Sequence, residues 1–248
     1  MSVSNISLVI PVYNEERRLK KLFLALDEYL KEPIIPVIEI IFVDDGSRDN
    51  TKNSIVEFQK NHSDKVVLIS YFPNQGKGHA VKRGMLKARG DYILMFDADV
   101  STPLSELKKF KAYIDKGVPI IIGSRKVSGA ALLKKQNWLR EKMGEAYAVF
   151  ARLVTGLKVV DFGCGFKSFS KESAKVIFTK LTTRGWIFDT EALLIAKQLE
   201  IPFKEVGINW TNDEDSRVKI FSGIVSSLFG LVYIRLYHSK LWKIFANN

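Results

Sequence analysis

Two acidic side chains separated by one residue, Asp97 and Asp99, follow the apolar run Tyr92–Phe96. Carboxylates at this spacing on a loop can reach one divalent ion together. Oxygen ligands of this kind suit Mg²⁺ or Mn²⁺, which also bind the phosphates of a substrate. Acids at this spacing are also common in turns and helix caps. The position directly after a buried run is what favours a metal site.

A second acidic pair, Asp44 and Asp45, follows the run Ile38–Val43 and precedes Gly46 and Ser47. Turn and N-cap preferences account for the glycine and the serine. They do not account for an acid at the very end of a strand. A carboxylate there can accept hydrogen bonds from a base or a ribose, so this pair is a candidate nucleoside site.

A glycine-rich segment, Asn74–Ala80, resembles a phosphate-binding loop. It matches neither the P-loop pattern nor the dinucleotide-binding fingerprint, which disfavours a P-loop NTPase or a dehydrogenase. Its glycines permit the backbone to approach a ligand closely. Lys77 can bind a phosphate there, the alternative being a solvated turn lysine, and His79 is expected at a helix start.

Short apolar runs alternate with amphipathic stretches through the first half of the chain. The predicted strands are Ile6–Val12, Ile38–Val43, Val66–Tyr71, Tyr92–Phe96 and Pro119–Ile122. The predicted helices are Arg18–Leu30, Asn50–Gln59, His79–Ala88 and Leu104–Ile114. This alternation indicates an α/β fold with a mostly parallel sheet and helices on both faces.

Polar clusters follow the predicted strands, and the carboxyl ends of parallel strands share one edge of a sheet. Ligands bind at that edge, where the strand order reverses. We therefore expect a group of side chains from distant loops to converge there. They are Tyr13, Glu15, Asp44, Asp45, Asn74, Lys77, Asp97, Asp99 and Arg125.

The second half is less regular. It predicts a helix over Leu132–Val154, a glycine-rich loop over Asp161–Lys167, a helix over Ala192–Leu199 and a strand over Phe203–Trp210. No linker-like segment separates the halves. We predict one catalytic domain over residues 1–215, followed by a basic and apolar membrane-interface segment, 216–248, that is not an independent domain.

Lys and Arg number 38 against 27 Asp and Glu, a formal net charge of +11. Such a surface favours anionic partners, including phosphates, nucleic acids and acidic lipids. The single cysteine, Cys164, excludes an intramolecular disulfide and a cysteine-based zinc site. The first ten residues lack the pattern of a secretory signal, so a cytosolic location is expected.

No charged residue occurs between Ile220 and Ile234. A bilayer span needs about 20 apolar residues, so a transmembrane helix is the least favoured interpretation. A helix packed on the core and an amphipathic helix lying on a membrane, with Trp242 at the headgroups, both remain open.

Four motifs occur in order over about the first hundred residues: Val9–Glu15, Val43–Ser47, Asn74–Gly78 and Asp97–Asp99. Together they resemble the family 2 glycosyltransferases, which have a GT-A fold. Later segments resemble polyprenyl-phosphate glycosyltransferases, most closely the dolichyl-phosphate β-glucosyltransferases and next the mannose synthases. These segments are Asp161–Lys167, Gly185–Glu191, Val206–Trp210 and Ser216–Lys219.

The resemblance implies roles for individual residues. It implies that the nucleotide contacts Pro11, Tyr13, Glu15, Asp44, Asp45, Lys77 and Asp97. Asp97 and Asp99 would hold Mg²⁺ or Mn²⁺ and, with Arg125, carry catalysis. The lipid phosphate would contact Arg125, Arg140 and Arg217. Candidates on the sugar side are Asp161, Trp186 and Glu191, whose roles the sequence leaves open.

The expected reaction is inverting transfer of a hexose from a nucleotide sugar, best UDP-glucose, to dolichyl or polyprenyl phosphate on the cytoplasmic face of a membrane. Use of GDP-mannose is the alternative. A processive polysaccharide synthase lacks support, since no long membrane span is present. A nucleic-acid-binding protein would fit the charge but leave the acidic loops unexplained, so no nucleic-acid partner is expected. The oligomeric state stays open.

Overall fold

A computed structural model describes residues 4–134, 138–212 and 220–245. A seven-stranded sheet has the order β3-β2-β1-β4-β7-β5-β8, and β6 pairs with β9 in a small second sheet. The strands are β1 Ile6–Val12, β2 Val37–Asp44, β3 Val66–Ser70, β4 Tyr92–Met95, β5 Ile120–Ser124, β6 Ala131–Lys134, β7 Lys167–Ser170, β8 Phe203–Gly207 and β9 Asn209–Thr211.

Helices cover both faces of the large sheet. They are α1 Glu16–Lys31, α2 Thr51–Asn61, α3 Lys77–Lys87, α4 Leu107–Ile114, α5 Trp138–Thr155, α6 Lys171–Lys180, α7 Phe188–Gln198 and α8 Ile220–Phe245, with a short 3₁₀ turn at Leu104–Glu106. One core holds side chains of α1, α2 and α4. The other holds those of α3, α5, α6, α7 and α8.

Neighbouring residues of a strand supply opposite cores, as the period of two requires. In β2, Ile41 and Val43 lie in one core, and Ile40 and Phe42 lie in the other. Both faces of the strand are therefore buried, which is why its sequence is nearly continuous in apolar residues.

The sheet is parallel except at one strand. β1 runs parallel to β2 and β4, whereas β7 lies antiparallel between β4 and β5. The mostly parallel α/β fold with helices on both faces is thus confirmed. The strand order reverses beside β1, where β2 lies on one side and β4 on the other. In such sheets ligands bind in the crevice at the carboxyl ends of the strands at this point.

The sequence prediction missed β7 and α6. A local signal for α6 existed, since the Ser170 hydroxyl accepts a hydrogen bond from the Ser173 backbone N–H and caps the helix. No comparable signal marks β7, whose Lys167 and Ser168 are polar yet buried.

Two predicted elements of the second half were wrong in extent. The helix predicted over Leu132–Val154 is strand β6 followed by α5, because Leu132 pairs with Trp210 of β9. The strand predicted over Phe203–Trp210 divides after Gly207, and its two parts belong to different sheets. A side chain at Gly207 would overlap the backbone carbonyl of Ser128, so only glycine fits this crossing.

The C-terminal segment forms the long helix α8, which packs on the core along one stripe. Leu231, Ile234 and His238 are buried, at helical spacing. The opposite side presents Phe229 and Leu236, which are 75% and 57% exposed. Within the described ranges, no helix combines the length and apolar character needed to cross a bilayer. The proposed boundary at residues 215 and 216, like Arg217, lies outside those ranges.

Candidate active site

A cavity of about 740 Å³ opens at the carboxyl edge of the sheet. Most of the side chains that the sequence analysis predicted for the site line this cavity. Those lining the cavity are Pro11, Tyr13, Glu15, Asp45, Asn74, Lys77, Asp97, Asp99, Arg125 and Trp186. The loops that carry them span more than a hundred residues of chain, and the parallel sheet is what joins them.

The two members of the acidic pair at the end of β2, Asp44 and Asp45, have different surroundings. Asp44 is 1% exposed and accepts hydrogen bonds from the Ser47 backbone and the Ser70 hydroxyl. It lies behind the cavity wall instead of lining it. Asp45 does line the cavity, and its carboxylate accepts from the backbone N–H groups of Gln75 and Gly76, each at 2.8 Å. Asp45 therefore fixes the glycine-rich loop.

Lys77 is the first residue of α3 and points at the metal-site candidate Asp97. Its Nζ lies 2.6 Å from Asp97 Oδ1 and 4.9 Å from the centre of the Trp186 ring. Burial alone would lower the pKa of Lys77, but the carboxylates of Asp97, Asp189 and Asp99 outweigh it and raise the pKa. Lys77 is thus a half-buried, charged ammonium beside the acidic pair.

Asp99 has a raised pKa, caused first by burial and then by the charge of Asp97. Its Oδ1 also accepts a hydrogen bond from the Ser101 backbone N–H at 2.9 Å. A divalent cation between two carboxylates relieves this repulsion. The chemistry of the pair therefore fits a metal ion.

The charge balance of the cavity also favours a bound cation. Among its described lining residues, five carboxylates face three cations: Glu15, Asp45, Asp97, Asp99 and Asp189 against Arg18, Lys77 and Arg125. No group of three or more His, Cys, Asp or Glu side chains in the described residues could hold a metal alone. The two aspartates can supply part of a coordination shell, which Mg²⁺ commonly completes with substrate phosphates and water.

Arg125 follows β5 and is held by Asp161. Its Nε and Nη2 each donate to the Asp161 carboxylate at 2.7 Å, and its guanidinium lies 5.2 Å from the centre of the Trp210 ring. Burial alone would raise the pKa of Asp161, but the charge of Arg125 outweighs it and lowers the pKa. Asp161 is therefore ionised and fixes the plane of Arg125 at the cavity wall; it does not line the cavity itself.

A second ion pair, between Lys167 and Asp189, lies at the cavity wall. Lys167, 1% exposed, donates to the carbonyls of Phe162 and Cys164 and to Asp189 Oδ1, the last at 2.6 Å. These contacts hold the loop that contains Gly165, where any side chain would overlap the Asp97 carboxylate. The loop before β7 thus packs against the Asp97 carboxylate and helps to fix its position.

Asp189 is a cavity residue that the sequence interpretation missed in favour of Glu191. Both lie in the same motif and in α7, but of the two only Asp189 lines the cavity, next to Thr190. Burial raises the pKa of Asp189. The carboxylate of Glu191 is 0% exposed and is occupied by Thr182, Thr183 and His238, which corrects its assignment to the sugar side.

The other two predicted arginines are not placed by the structure. Arg140 falls within α5, but its side chain is outside the described part. Arg217 lies between the described ranges. Of the three cations predicted to hold a lipid phosphate, Arg125 is the one whose position is known.

Solved structures share this architecture. Glucosyl-3-phosphoglycerate synthase from Mycobacterium tuberculosis, in complex with Mn²⁺, UDP and glucosyl-3-phosphoglycerate, aligns with a TM-score of 0.69 at 16% identity, covering 94% of this chain and 80% of that one. The same enzyme with Mn²⁺ and UDP-glucose gives 0.69 at 17% identity, covering 94% and 79%. The fold is therefore GT-A.

The chain belongs to glycosyl transferase family 2, whose sequence model matches residues 7–178. The dolichyl-phosphate beta-glucosyltransferases of Dictyostelium discoideum and Homo sapiens are each 34% identical to it, covering 96% of this chain and 76% and 78% of theirs. The Saccharomyces cerevisiae enzyme of that name is 31% identical, covering 98% and 77%.

Proposed function

We propose that the protein transfers glucose from UDP-glucose to dolichyl or a related polyprenyl phosphate, inverting the anomeric centre. The relatives named as dolichyl-phosphate beta-glucosyltransferases align over nearly the whole chain. The observation that carries the proposal is a single cavity with the Asp97 and Asp99 carboxylates and Lys77 on one side and Arg125 on another. Such a cavity can hold two phosphorylated substrates at once.

The nucleotide sugar would enter along the loops after β1 and β2. Pro11, Tyr13, Glu15 and Asp45 line that part of the cavity. The ring of Tyr13 is 41% exposed, which leaves a face on which a base can stack. Lys77 would approach the diphosphate as a charge that Asp97 keeps in place.

Asp97 and Asp99 would hold Mg²⁺ or Mn²⁺. When bound, the ion would neutralise charge on the leaving diphosphate and orient it. The chain itself would contribute the two carboxylates and the ammonium of Lys77, which lies within hydrogen-bond distance of one of them. The crystallised neighbours that contain Mn²⁺ and UDP-glucose support a divalent ion of this kind.

The acceptor needs no activating base. A phosphate monoester has a second pKa of about 6 and is close to doubly charged at neutral pH. Its oxygen is therefore already a nucleophile. Arg125, with a fork geometry suited to phosphate oxygens, would bring this anion close to the diphosphate and offset their repulsion. Attack on the face of carbon 1 opposite the leaving group would convert an α-linked sugar into a β-linked product.

Exposed apolar side chains support a membrane-facing surface. Most of the large ones lie on β6, α5 and α8: Leu132, Leu133, Trp138, Val149, Phe150, Leu153, Phe229, Val232, Tyr233, Leu236 and Tyr237. We propose that they form one surface, which we call the apolar face. Helices that combine apolar and cationic residues lie at membrane interfaces. This face, on the cytoplasmic side, would bring the isoprenoid tail to the cavity, whose wall includes Ser227 of α8.

The test is a donor and acceptor screen of the full chain. Radiolabelled UDP-glucose, GDP-mannose, UDP-GlcNAc and UDP-galactose would each be incubated with dolichyl phosphate vesicles and Mg²⁺, then with Mn²⁺. Product extracts into organic solvent. We expect UDP-glucose to give a mild-acid-labile β-glucosyl lipid. Faster transfer from GDP-mannose would replace the proposed donor, and no transfer from any of the four would refute the proposal.

A further inference from the structure

The segment between α6 and α7 is held by one buried carboxylate. Glu191 Oε1 accepts from the Thr182 backbone N–H and hydroxyl at 2.9 and 2.6 Å, and Oε2 accepts from those of Thr183 at 2.8 and 2.5 Å. Burial alone would raise the pKa of Glu191, but hydrogen bonds led by His238 outweigh it and lower the pKa. We call residues 182–187 the α6–α7 segment.

The same segment contacts the part of the cavity proposed for the nucleotide sugar, which we call the donor side. The Arg184 carbonyl accepts hydrogen bonds from the backbone N–H groups of Gly78 and His79, at 2.7 and 3.3 Å, in the first turn of α3. Lys77 belongs to that turn, and Trp186 of the segment lies over its ammonium. A displacement of the segment would therefore displace Lys77, which pairs with Asp97.

The remaining contact of Glu191 comes from α8. His238 Nε2 lies 2.8 Å from Glu191 Oε1, and both side chains are buried. Earlier on α8, Leu231 and Ile234 share a core with Ile187 of the segment. Helix α8, which carries part of the apolar face, is thus joined to the segment by a polar contact and by packing.

We infer that His238 and Glu191 are positioning residues for the nucleotide sugar. Their contact joins helix α8 to the α6–α7 segment, and the segment in turn positions Lys77 and Trp186. The inference rests on the proposed function only in naming the ligand of that site. It implies that nucleotide affinity depends on the contact between α8 and Glu191. Neither His238 nor Glu191 lines the cavity, so the effect is indirect.

The test compares variants of His238 in the full chain. His238→Leu keeps the bulk and removes the hydrogen bond, and His238→Gln retains a donor near the position of Nε2. Ser239→Ala, the next residue on α8, is the matched control. UDP binding with Mg²⁺ would be measured by titration calorimetry, together with KM for each substrate and the melting temperature.

Loss of a buried hydrogen bond to a charged group destabilises its surroundings, and we expect His238→Leu to weaken UDP binding by about tenfold. KM for the nucleotide sugar should rise and KM for the lipid phosphate should stay constant, while His238→Gln should restore affinity. A purely structural role would lower the melting temperature and leave UDP affinity unchanged in the folded protein; that result would overturn the inference.

Two further measurements keep the outcomes separate. If His238→Leu does not fold, Thr183→Val replaces it in the test. This variant removes the hydroxyl donor from the α6–α7 segment to Glu191, and the inference requires that it also weakens UDP binding. If the wild type binds GDP and not UDP, the proposed donor fails, and the variants are judged with GDP. A wild type that binds neither nucleotide would refute both proposals.

Discussion

The two sides of the cavity are built in different ways. The proposed donor side consists of loops that follow β1, β2, β3 and β4, so each of its acids lies within a few residues of a buried strand. The acceptor side is assembled from α5, the loop before β7, the start of α7, β9 and α8. On the first side the ends of the strands set the position of each acid, and one ion pair, Lys77 with Asp97, adds to this. On the second side ion pairs do so, chiefly Arg125 with Asp161 and Lys167 with Asp189.

The largest expected effect is on the donor side. Asp97→Asn and Asp99→Asn should each reduce kcat by about a hundredfold or more, since loss of a metal ligand removes several kcal/mol of charge stabilisation. Turnover would be measured by lipid extraction, and folding by circular dichroism. Asp115→Asn, at the exposed end of α4, is the control and should leave kcat unchanged. Full activity of either variant, or of the wild type in excess EDTA, would contradict a metal role.

Gly165→Ala tests the place where the two sides meet. Its new methyl group would displace the Asp97 carboxylate, so we expect kcat to fall by roughly tenfold or more with a small change in melting temperature. Gly163→Ala in the same loop is the matched control, because its methyl group would lie 3.7 Å from Arg125, an ordinary contact distance. Equal activities of the two variants would show that the loop does not support Asp97.

Arg125→Ala tests the acceptor side. Loss of a charge-assisted contact should raise KM for the lipid phosphate by about tenfold and KM for the nucleotide sugar by much less. Steady-state kinetics with each substrate varied in turn would measure this. Lys126→Ala removes the neighbouring exposed cation and serves as the control. Equal increases in both KM values would remove Arg125 from the acceptor site.

The smallest effect is expected on the apolar face. Leu153→Gln should lower binding to anionic vesicles by about three- to fivefold, because a partly inserted leucine contributes on the order of 1 kcal/mol. Turnover of a short water-soluble prenyl phosphate should not change. Leu24→Gln, on α1 in the layer across the sheet, makes the same substitution at a 61% exposed leucine. Equal losses in vesicle sedimentation would mean that the face is not specific.

The same difference explains how much the sequence could predict. Strands β1 to β5 are apolar on both faces, and a parallel arrangement brings their carboxyl ends together, so Asp45, Asp97 and Asp99 could be placed on one edge in advance. The distinction between Asp44 and Asp45 was not predicted, since both follow the predicted strand Ile38–Val43, whereas β2 extends to Asp44. It depends on which way the last residue of β2 points.

The buried polar pairs of the second half of the chain resisted prediction because they join segments far apart in the chain. Lys167 and Asp189 are 22 residues apart, and His238 and Glu191 are 47 apart. A lysine in a strand and a histidine in a long helix have no local pattern that reveals a buried partner. The antiparallel β7 likewise depends on a place left between β4 and β5, which no residue of β7 specifies alone.

The clasp between Arg125 and Asp161 has a consequence for variation within such enzymes. It closes an excursion of the chain that leaves the sheet after β5 and returns just before β7, and the Arg125 backbone N–H also donates to Asp161. Between these ends, β6 pairs with β9, and Ala148 and Ala151 of α5 lie in the core, so a change in this excursion must keep these contacts as well as the clasp. Helix α5 also lines the cavity with Met143, Gly144 and Tyr147, so we expect an exchange of the excursion between homologues to reshape the wall beside Arg125. The loops after β1, β2 and β4 lie outside the exchanged stretch and would keep their strands.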